Sequence, residues 1–421
     1  MHYGIFTYGT RGDVQPYIAL ALGLMEKGHQ ITLAAPENFK AFVEAYGILF
    51  HPLHGNLESA MNNHEKQANK NAGSQLKLTK FIFKILHEIR GPLRESYVEG
   101  FEKVDVIIAN RATLPITFSL AEKMNKKIIY SYLMPPMIET SEFPAAHLEL
   151  LNNRWYNKFS YRFYRFIVWQ TIKKDTNEFR KILDLPILKK PMGHYLKERQ
   201  APTFFSISSQ LIAQPKDWET RYEITGFISM PKQYRKQHSL DGISAYLETW
   251  LNAGEKPMYI GFGSMPFNPS LIKNILNDLL ARTNHRIVFC TGWMELEELP
   301  VHPNLCVVKN VNHEWLLPRC KLAIIHGGAG TLTTVLKAMI PVIVVSIFFD
   351  QPTWGRIVSK KNIGVHLPMK KLTFERLMSA IKKTQCQEMI TKTRQIGENI
   401  NTENGLEKAL EFIEKHTRRT E

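Results

Sequence analysis

The feature that most limits how this chain can fold is a repeated unit: a short apolar run, a glycine-bearing turn, then a segment with helical spacing. Residues 2–8 form the first run and Gly9-Thr10-Arg11-Gly12-Asp13 the turn. Pro16 to Lys27 then carries Ile18, Leu20, Leu22 and Leu24 before Gly28 stops it. Ile31 to Ala35 predicts a second strand and Asn38 to Tyr46 a second helix. Strands that alternate with helices run parallel, because each helix returns the chain to the same end of the sheet, and such a sheet is covered on both faces. Runs at 104–109 and 127–131 extend this series. A second series opens at Met258-Tyr259-Ile260-Gly261-Phe262-Gly263-Ser264 and continues through 286–290, 305–308, 322–325 and 342–345.

A chain of 421 residues exceeds the ~250–300 that one core holds, so two series predict two domains. The first Rossmann-like domain is expected at 1–228 and a polar linker at 229–241. The second domain is expected at 242–421, its last helix a candidate to pack back on the first. Two such domains facing each other put a cleft between them, where ligands of this architecture collect. The stretch 135–200 breaks the alternation and predicts irregular structure. Trp155, Tyr156, Phe159, Tyr161, Phe163, Tyr164, Phe166 and Trp169 recur too often there for one helical face. Three readings stand for it: an acceptor pocket, an interfacial surface for a lipid-like molecule, or core helices with snorkelling Arg and Lys.

Lys+Arg 54 against Asp+Glu 39 gives a net charge of +15, which draws phosphate, anionic lipid or nucleic acid. No zinc-finger spacing or nucleic-acid module accompanies it, so nucleic acid is not an expected partner. Cys290, Cys306, Cys320 and Cys386 include no CxxC pair and are expected as buried, reduced thiols without metal. His51, His54, His147 and His194 lack ligand spacing, and most of them read as surface or capping residues. The N-terminus runs straight into a strand, and the longest apolar run, 340–349, falls short of the ~20 residues a membrane span needs. A cytoplasmic protein is expected, with peripheral contact at the inner membrane face as a further hypothesis.

The most informative local motif is Ile324-Ile325-His326-Gly327-Gly328-Ala329-Gly330-Thr331, an apolar strand ending in a glycine-rich turn that opens a helix. Unpaired N–H groups and the dipole at such a helix start stabilise phosphate charge; a tight strand-to-helix turn is the plain structural alternative. Asp350-Gln351 follows the next strand, at the edge where ligand contacts collect in parallel sheets. A carboxylate beside an amide supplies both acceptors and donors for sugar hydroxyls.

On these residues the chain resembles the nucleotide-sugar-dependent glycosyltransferases of GT-B fold, in the branch of bacterial antibiotic and sterol glycosyltransferases. His326 to Thr331, with Asp350-Gln351 and Trp354, is similar to that family's donor-binding signature. Gly9 to Pro16 is similar to its N-terminal acceptor-side loop, and Gly261-Phe262-Gly263-Ser264-Met265 to the loop opening its donor domain. The resemblance implies an α/β, GT-B chain with two facing Rossmann-like domains. It implies inverting transfer of a hexose, with UDP-glucose preferred, to a hydroxyl of a hydrophobic acceptor such as a sterol, terpenoid, polyketide or phenolic. Donor contacts would come from Thr10, Arg11, Gly12, Ser264, His313, His326, Gly328, Ala329, Gly330, Thr331, Asp350 and Gln351, with no metal and no cofactor beyond the sugar nucleotide. The chain departs from the family at Asn310, His313, Thr334, Met339 and Ser346; the last two are expected to affect local packing only.

Sugar transfer needs a base for the acceptor proton, and Asp13, just past the first strand, is the candidate. Its alternative role is to cap the helix that follows, while Arg11 is either a surface charge or a partner lowering the Asp13 pKa. A nicotinamide-dependent oxidoreductase fits less well, because Gly9-x-x-Gly12 lacks GxGxxG spacing. A non-catalytic sugar-nucleotide or lipid-binding homologue is the other alternative.

Overall fold

The computed structural model describes residues 1–55, 90–146, 148–235, 244–263, 269–292, 299–347 and 349–418. They divide into two compact units, one of residues 1–55, 90–230 and 404–418, the other of 231–235 and 244–403.

The first unit runs β1 (His2–Phe6), α1 (Arg11–Glu26), β2 (Gln30–Pro36), α2 (Lys40–Glu44), β3 (Leu49–Leu53), α3 (Arg90–Glu102), β4 (Val106–Ala109), α4 (Leu114–Lys123), β5 (Lys127–Tyr132), α5 (Arg154–Ile182), α6 (Met192–Glu198), β6 (Thr203–Phe205) and β7 (Tyr222–Ile224). Its sheet is parallel in the order β3-β2-β1-β4-β5-β6-β7. Ile5, Ile107 and Ile108 are fully buried, as strands covered on both faces require. Strand order reverses between β1 and β4, so the loops after those strands leave in opposite directions and open a crevice.

The second unit runs α7 (Ala245–Asn252), β8 (Met258–Gly261), α8 (Pro269–Arg282), β9 (Ile287–Cys290), β10 (Leu305–Val308), α9 (His313–Leu316), β11 (Leu322–Ile325), α10 (Ala329–Lys337), β12 (Val342–Val344), α11 (Gln351–Lys360), β13 (Gly364–His366), α12 (Phe374–Thr384) and α13 (Gln387–Asn401). It repeats the plan, parallel in the order β10-β9-β8-β11-β12-β13, with the reversal between β8 and β11. One side of that sheet packs Ile260, Phe289, Ile324 and Ile343 against Leu276, Leu279, Leu377 and Ile381 from α8 and α12.

The last helix, α14 (Gly405–Thr417), belongs to the first unit. Thr417 Oγ1 meets the Tyr3 hydroxyl at 3.0 Å, Phe412 packs on Phe204, and Lys27 pairs with Glu407 and Glu414 at 3.0 and 3.3 Å. Of the expected linker, residues 236–241 lie outside the described residues, and Lys232–Arg235 form one helical turn.

Three sequence expectations need correction, and one histidine departs from the pattern of the others. Helix α1 starts at Arg11, not Pro16, because Thr10 and Asp13 cap it there; Pro16 sits inside it and has no N–H to offer the carbonyl of Gly12, an exposed residue. The stretch expected to be irregular contains α5, a 29-residue helix. Asn153 Oδ1 caps it by accepting from Tyr156 N at 2.9 Å, and Trp169 joins Phe118, Leu188 and Met192 in a satellite core. Aromatics surround this helix because one side packs on the protein and another is exposed. Cys386 is exposed at the start of α13, while the other three cysteines are buried. His51 is a buried residue whose Nε2 lies 2.6 Å from the Ser96 carbonyl oxygen. His54 pairs with Glu37 and His194 with Glu198, while His147 lies outside the described residues.

Candidate functional site

In the first unit the reversal point is built around the loop from Thr7 to Thr10. Thr7 Oγ1 donates to the Asp13 carbonyl at 2.7 Å and accepts from Asn110 Nδ2 at 2.9 Å, tying the loop after β1 to the residue that follows β4. Gly9 has φ +147°, and a Cβ there would lie 2.3 Å from Asp13 Oδ2, so only glycine lets the carboxylate fold back against the loop. Asp13 Oδ2 accepts from Thr10 N at 2.8 Å and from Thr10 Oγ1 at 3.2 Å. Among the described residues Oδ1 has no protein partner. Burial raises the Asp13 pKa, opposed by the two hydrogen bonds from Thr10. A carboxylate held rigidly by one oxygen, with its basicity raised, can accept a proton through the other.

Arg11 does not lower the Asp13 pKa as one sequence reading had it. Its guanidinium lies 4.7 Å from the Phe42 ring centroid on α2, and both Arg11 and Gly12 are exposed.

In the second unit the reversal point is formed by the ends of β8 and β11. Gly327 has φ +93°, which turns the chain out of β11, and a Cβ there would meet Val344 Cγ1 at 2.5 Å. The first helical bond of the turn that follows runs from Leu332 N to Gly328 O at 2.9 Å. The N–H groups of Ala329, Gly330 and Thr331 therefore precede the ladder of α10 and have no acceptor within the helix. A diphosphate is the kind of ligand such a helix start holds.

His326 stands at the edge of this turn, walled by glycines: a Cβ on Gly328 would lie 2.5 Å from its Nε2, and one on Gly263 3.2 Å from its Cε1. Burial, with His313 nearby, lowers the His326 pKa to about 4, so the ring is neutral at pH 7. Its Nδ1 is buried without a hydrogen-bond partner among the described residues, an orphaned polar atom of the sort a ligand satisfies. His313 is oriented by the Tyr259 hydroxyl, 2.7 Å from its Nε2. Ser264 lies outside the described residues.

After β12, Asp350 Oδ2 accepts from the indole N–H of the fully buried Trp354 at 2.8 Å, and Gln351 Oε1 accepts from Ile347 N at 2.9 Å. These contacts orient the two side chains. Asp350 occupies the N-cap position of α11 without a side-chain cap bond, so its carboxylate serves the Trp354 contact instead. Thr334 bonds back to the Gly330 carbonyl at 3.0 Å within α10.

Sequence reasoning passed over two residues that hold these loops. Asn110 follows a strand and precedes Thr113, whose N–H it caps at 3.1 Å; an Asn at the C-terminal end of a strand was the available signal. His366 Nε2 meets Ser346 Oγ at 2.7 Å, and burial lowers its pKa to about 4. Nothing in the local sequence around His366 marks that pairing. Met339, expected to affect packing only, also carries backbone strain, with φ +60° where a helix end favours glycine.

Residues 3–141 match the glycosyltransferase family 28 N-terminal domain, and residues 274–402 the erythromycin biosynthesis protein CIII-like C-terminal domain. The chain is 31% identical over 425 residues to sterol 3-beta-glucosyltransferase UGT80A2 of Arabidopsis thaliana, covering 97% of this chain and 64% of that protein. It is 30% identical over 424 residues to UGT80B1 of the same plant (98% and 67%), and 28% identical to the sterol 3-beta-glucosyltransferase of Komagataella phaffii (97% and 34%). The chain thus spans about two thirds of the plant relatives' length and a third of the yeast one's. Among solved structures, the glycotransferase of kitacinnamycin has a TM-score of 0.70 at 16% identity (99% of this chain, 98% of that one), and the calicheamicin glycosyltransferase CalG4 a TM-score of 0.66 at 14% (99% and 97%). With two parallel α/β units, this fold likeness, and sequence similarity to the plant enzymes along nearly its whole length, the chain belongs to the GT-B-fold UDP-glycosyltransferase family.

Proposed function

We propose that this chain is an inverting glycosyltransferase that moves glucose from UDP-glucose to the hydroxyl of a sterol-type acceptor. The observation that carries this reading is the similarity to named sterol 3-beta-glucosyltransferases over 97% and 98% of the chain. In the proposed reaction the acceptor oxygen attacks the anomeric carbon and the bond from that carbon to the diphosphate oxygen breaks. Its electron pair leaves on UDP, and the acceptor proton passes to Asp13. A single displacement converts an α-linked donor to a β-glycoside. The raised pKa of Asp13 supports a base role, since a stronger base captures the proton more readily near neutral pH.

The diphosphate would rest on the N–H groups of Ala329, Gly330 and Thr331, with the neutral His326 ring adding a hydrogen bond and Ser264 a second. The proposal assigns no metal to this step. Asp350 and Gln351 would hold the glucose hydroxyls, and His313 would border the base. Thr10 and Gly12 would contribute through the loop that orients Asp13. Arg11, stacked on Phe42, is the weakest of the proposed donor contacts.

The test is turnover of UDP-glucose against a panel of sterols, terpenoids and phenolics, without added metal, with glycosides read by mass. Sterol glucoside from the wild type, absent with Asp13→Asn, is the expected result. Tight UDP binding with no product from any acceptor would instead support a non-catalytic binding homologue.

A further inference from the structure

Helix α5 presents three kinds of surface: one packed on the protein, one aromatic and exposed, and one basic. One face is fixed to the protein: Asn157 Nδ2 donates to the Ser141 carbonyl at 2.9 Å, Ser160 Oγ accepts from Ala145 N at 2.8 Å, and Tyr161 and Trp169 are buried. At about 100° per residue, Trp155, Phe159, Phe163 and Phe166 fall together on another face. All four are exposed, Trp155 by 90% and Phe159 by 58%. Phe159 and Phe163 stack on each other with ring centroids 5.9 Å apart, which keeps the stripe continuous. Leu150, 81% exposed, and Leu151 extend it across the turn before the helix.

The sector beside this stripe is basic, with Arg154, Lys158, Arg162 and Arg165. Arg162 and Arg165 share Glu139 at 3.1 and 2.9 Å, and Glu149 lies in the preceding turn, which leaves the flank net positive. Contiguous exposed aromatics are costly in water and mark a contact surface. A row of aromatics bordered by cations matches the boundary of an anionic bilayer, where rings enter the headgroup region and Arg and Lys meet lipid phosphates. Among the described residues no helix is long and apolar enough to cross a membrane, so a contact of this kind lies on the bilayer and does not span it. The net charge of +15 draws the whole chain toward the same surface.

We propose that the Trp155-Phe159-Phe163-Phe166 face of α5, with Arg154, Lys158 and Arg162 beside it, docks the chain on anionic phospholipid bilayers. This inference is independent of the reaction proposed above, and its test reads binding alone. The full chain is sedimented with phosphatidylcholine vesicles with and without phosphatidylglycerol at low salt, beside a Trp155→Ser/Phe159→Ser/Phe163→Ser variant and an Arg154→Gln/Lys158→Gln/Arg162→Gln variant. Circular dichroism checks that each variant is folded.

Wild-type binding to the anionic vesicles only is expected. The aromatic variant should lose more than roughly tenfold in affinity, and each removed charge should cost about fivefold at low salt and less at high salt. The proposal is overturned if the wild type binds neither vesicle, or if either variant binds as the wild type does. It is also overturned if light scattering shows the wild type as a dimer that the aromatic variant dissolves, which would assign this face to a second copy.

Discussion

The loop after β1 and the loop after β11 both border the strand-order reversal of their own sheet, yet they are held in place by a different balance of means, with polar side chains added to a glycine in the first and glycines alone in the second. In the first, polar side chains hold the backbone: Thr7 bridges Asn110 to the Asp13 carbonyl, and the Asp13 carboxylate binds Thr10. In the second, missing side chains let backbone and ring come close: Gly327 turns against Val344, and His326 fills the space that Cβ atoms on Gly263 and Gly328 would occupy. A loop fixed by hydrogen bonds should accept an isosteric change that preserves them. A loop fixed by close approach should tolerate no added atom at its contact points.

The largest expected effect separates two roles of one residue. Asp13→Asn can still accept from Thr10 N, so unfolding free energy should stay within about 0.5 kcal/mol of wild type, while kcat/KM falls roughly 10²–10⁴-fold. Asp13→Ala should add about 1 kcal/mol of instability from the lost cap. Steady-state kinetics beside urea unfolding reads both; an Asp13→Asn enzyme with near-normal kcat/KM would reduce Asp13 to a helix cap. The acid limb of the wild-type rate profile should lie above the ordinary aspartate value of about 3.9, because burial raises the Asp13 pKa.

On the glycine side, Gly328→Ala forces the His326 ring to move and should cost about 1–3 kcal/mol of stability and roughly tenfold in UDP affinity by calorimetry. Gly330→Ala makes the sharper contrast. No atom lies within 4 Å of the new methyl, so the free chain should gain about 0.5–1 kcal/mol, while UDP binding still weakens if the diphosphate sits on that turn. Unchanged UDP affinity in both variants would remove the phosphate from this loop.

Smaller is the effect of pH on the second unit. His326 and His366 both have native pKa values lowered to about 4 from 6.5, so the unfolded chain binds more protons below pH 6.5. Stability is therefore complete above that pH and falls as the solution is acidified toward 4. At pH 5 the loss should be on the order of 1–2 kcal/mol for the buried His326 and less for His366, which solvent partly screens, and His366→Gln should reduce the dependence measured by urea titration. The smallest expected change is Met339→Gly, which relieves a left-handed backbone and should raise stability by up to about 1 kcal/mol if the packing of Met339 on Gly397 is cheap to lose. A drop in Tm would mean that the side-chain contact outweighs the strain.

Much of this organisation could be read directly from residue order. Apolar runs separated by glycine turns and helical segments admit only parallel sheets, since the chain must return to the same end before each new strand. The run from Ile324 to Thr331 marked a strand, a turn and a helix start, because glycines at those spacings have few other uses. Asp13 was visible as an acid at a helix start, and its capping reading is the one the hydrogen bonds show: its Oδ2 accepts from Thr10 N in the first turn of α1. The side of the loop to which Arg11 would turn was not visible, because Phe42 lies 31 positions away and only the packing of α2 brings it near. Nor was the continuity of α5, where aromatics on two faces masked a helical period.

The parallel α/β plan, the two series of strands and the turns that end them follow from residue order alone, because backbone sterics and hydrophobic periodicity act over a few residues. Which polar atoms stay unsatisfied, which rings face solvent and which pKa values move were set by packing between segments far apart in the chain. His326 Nδ1 has no hydrogen-bond partner among the described residues, Trp155 is exposed and Cys386 is uncovered as a result of what distant segments bring alongside them, and burial and desolvation are properties of that assembly.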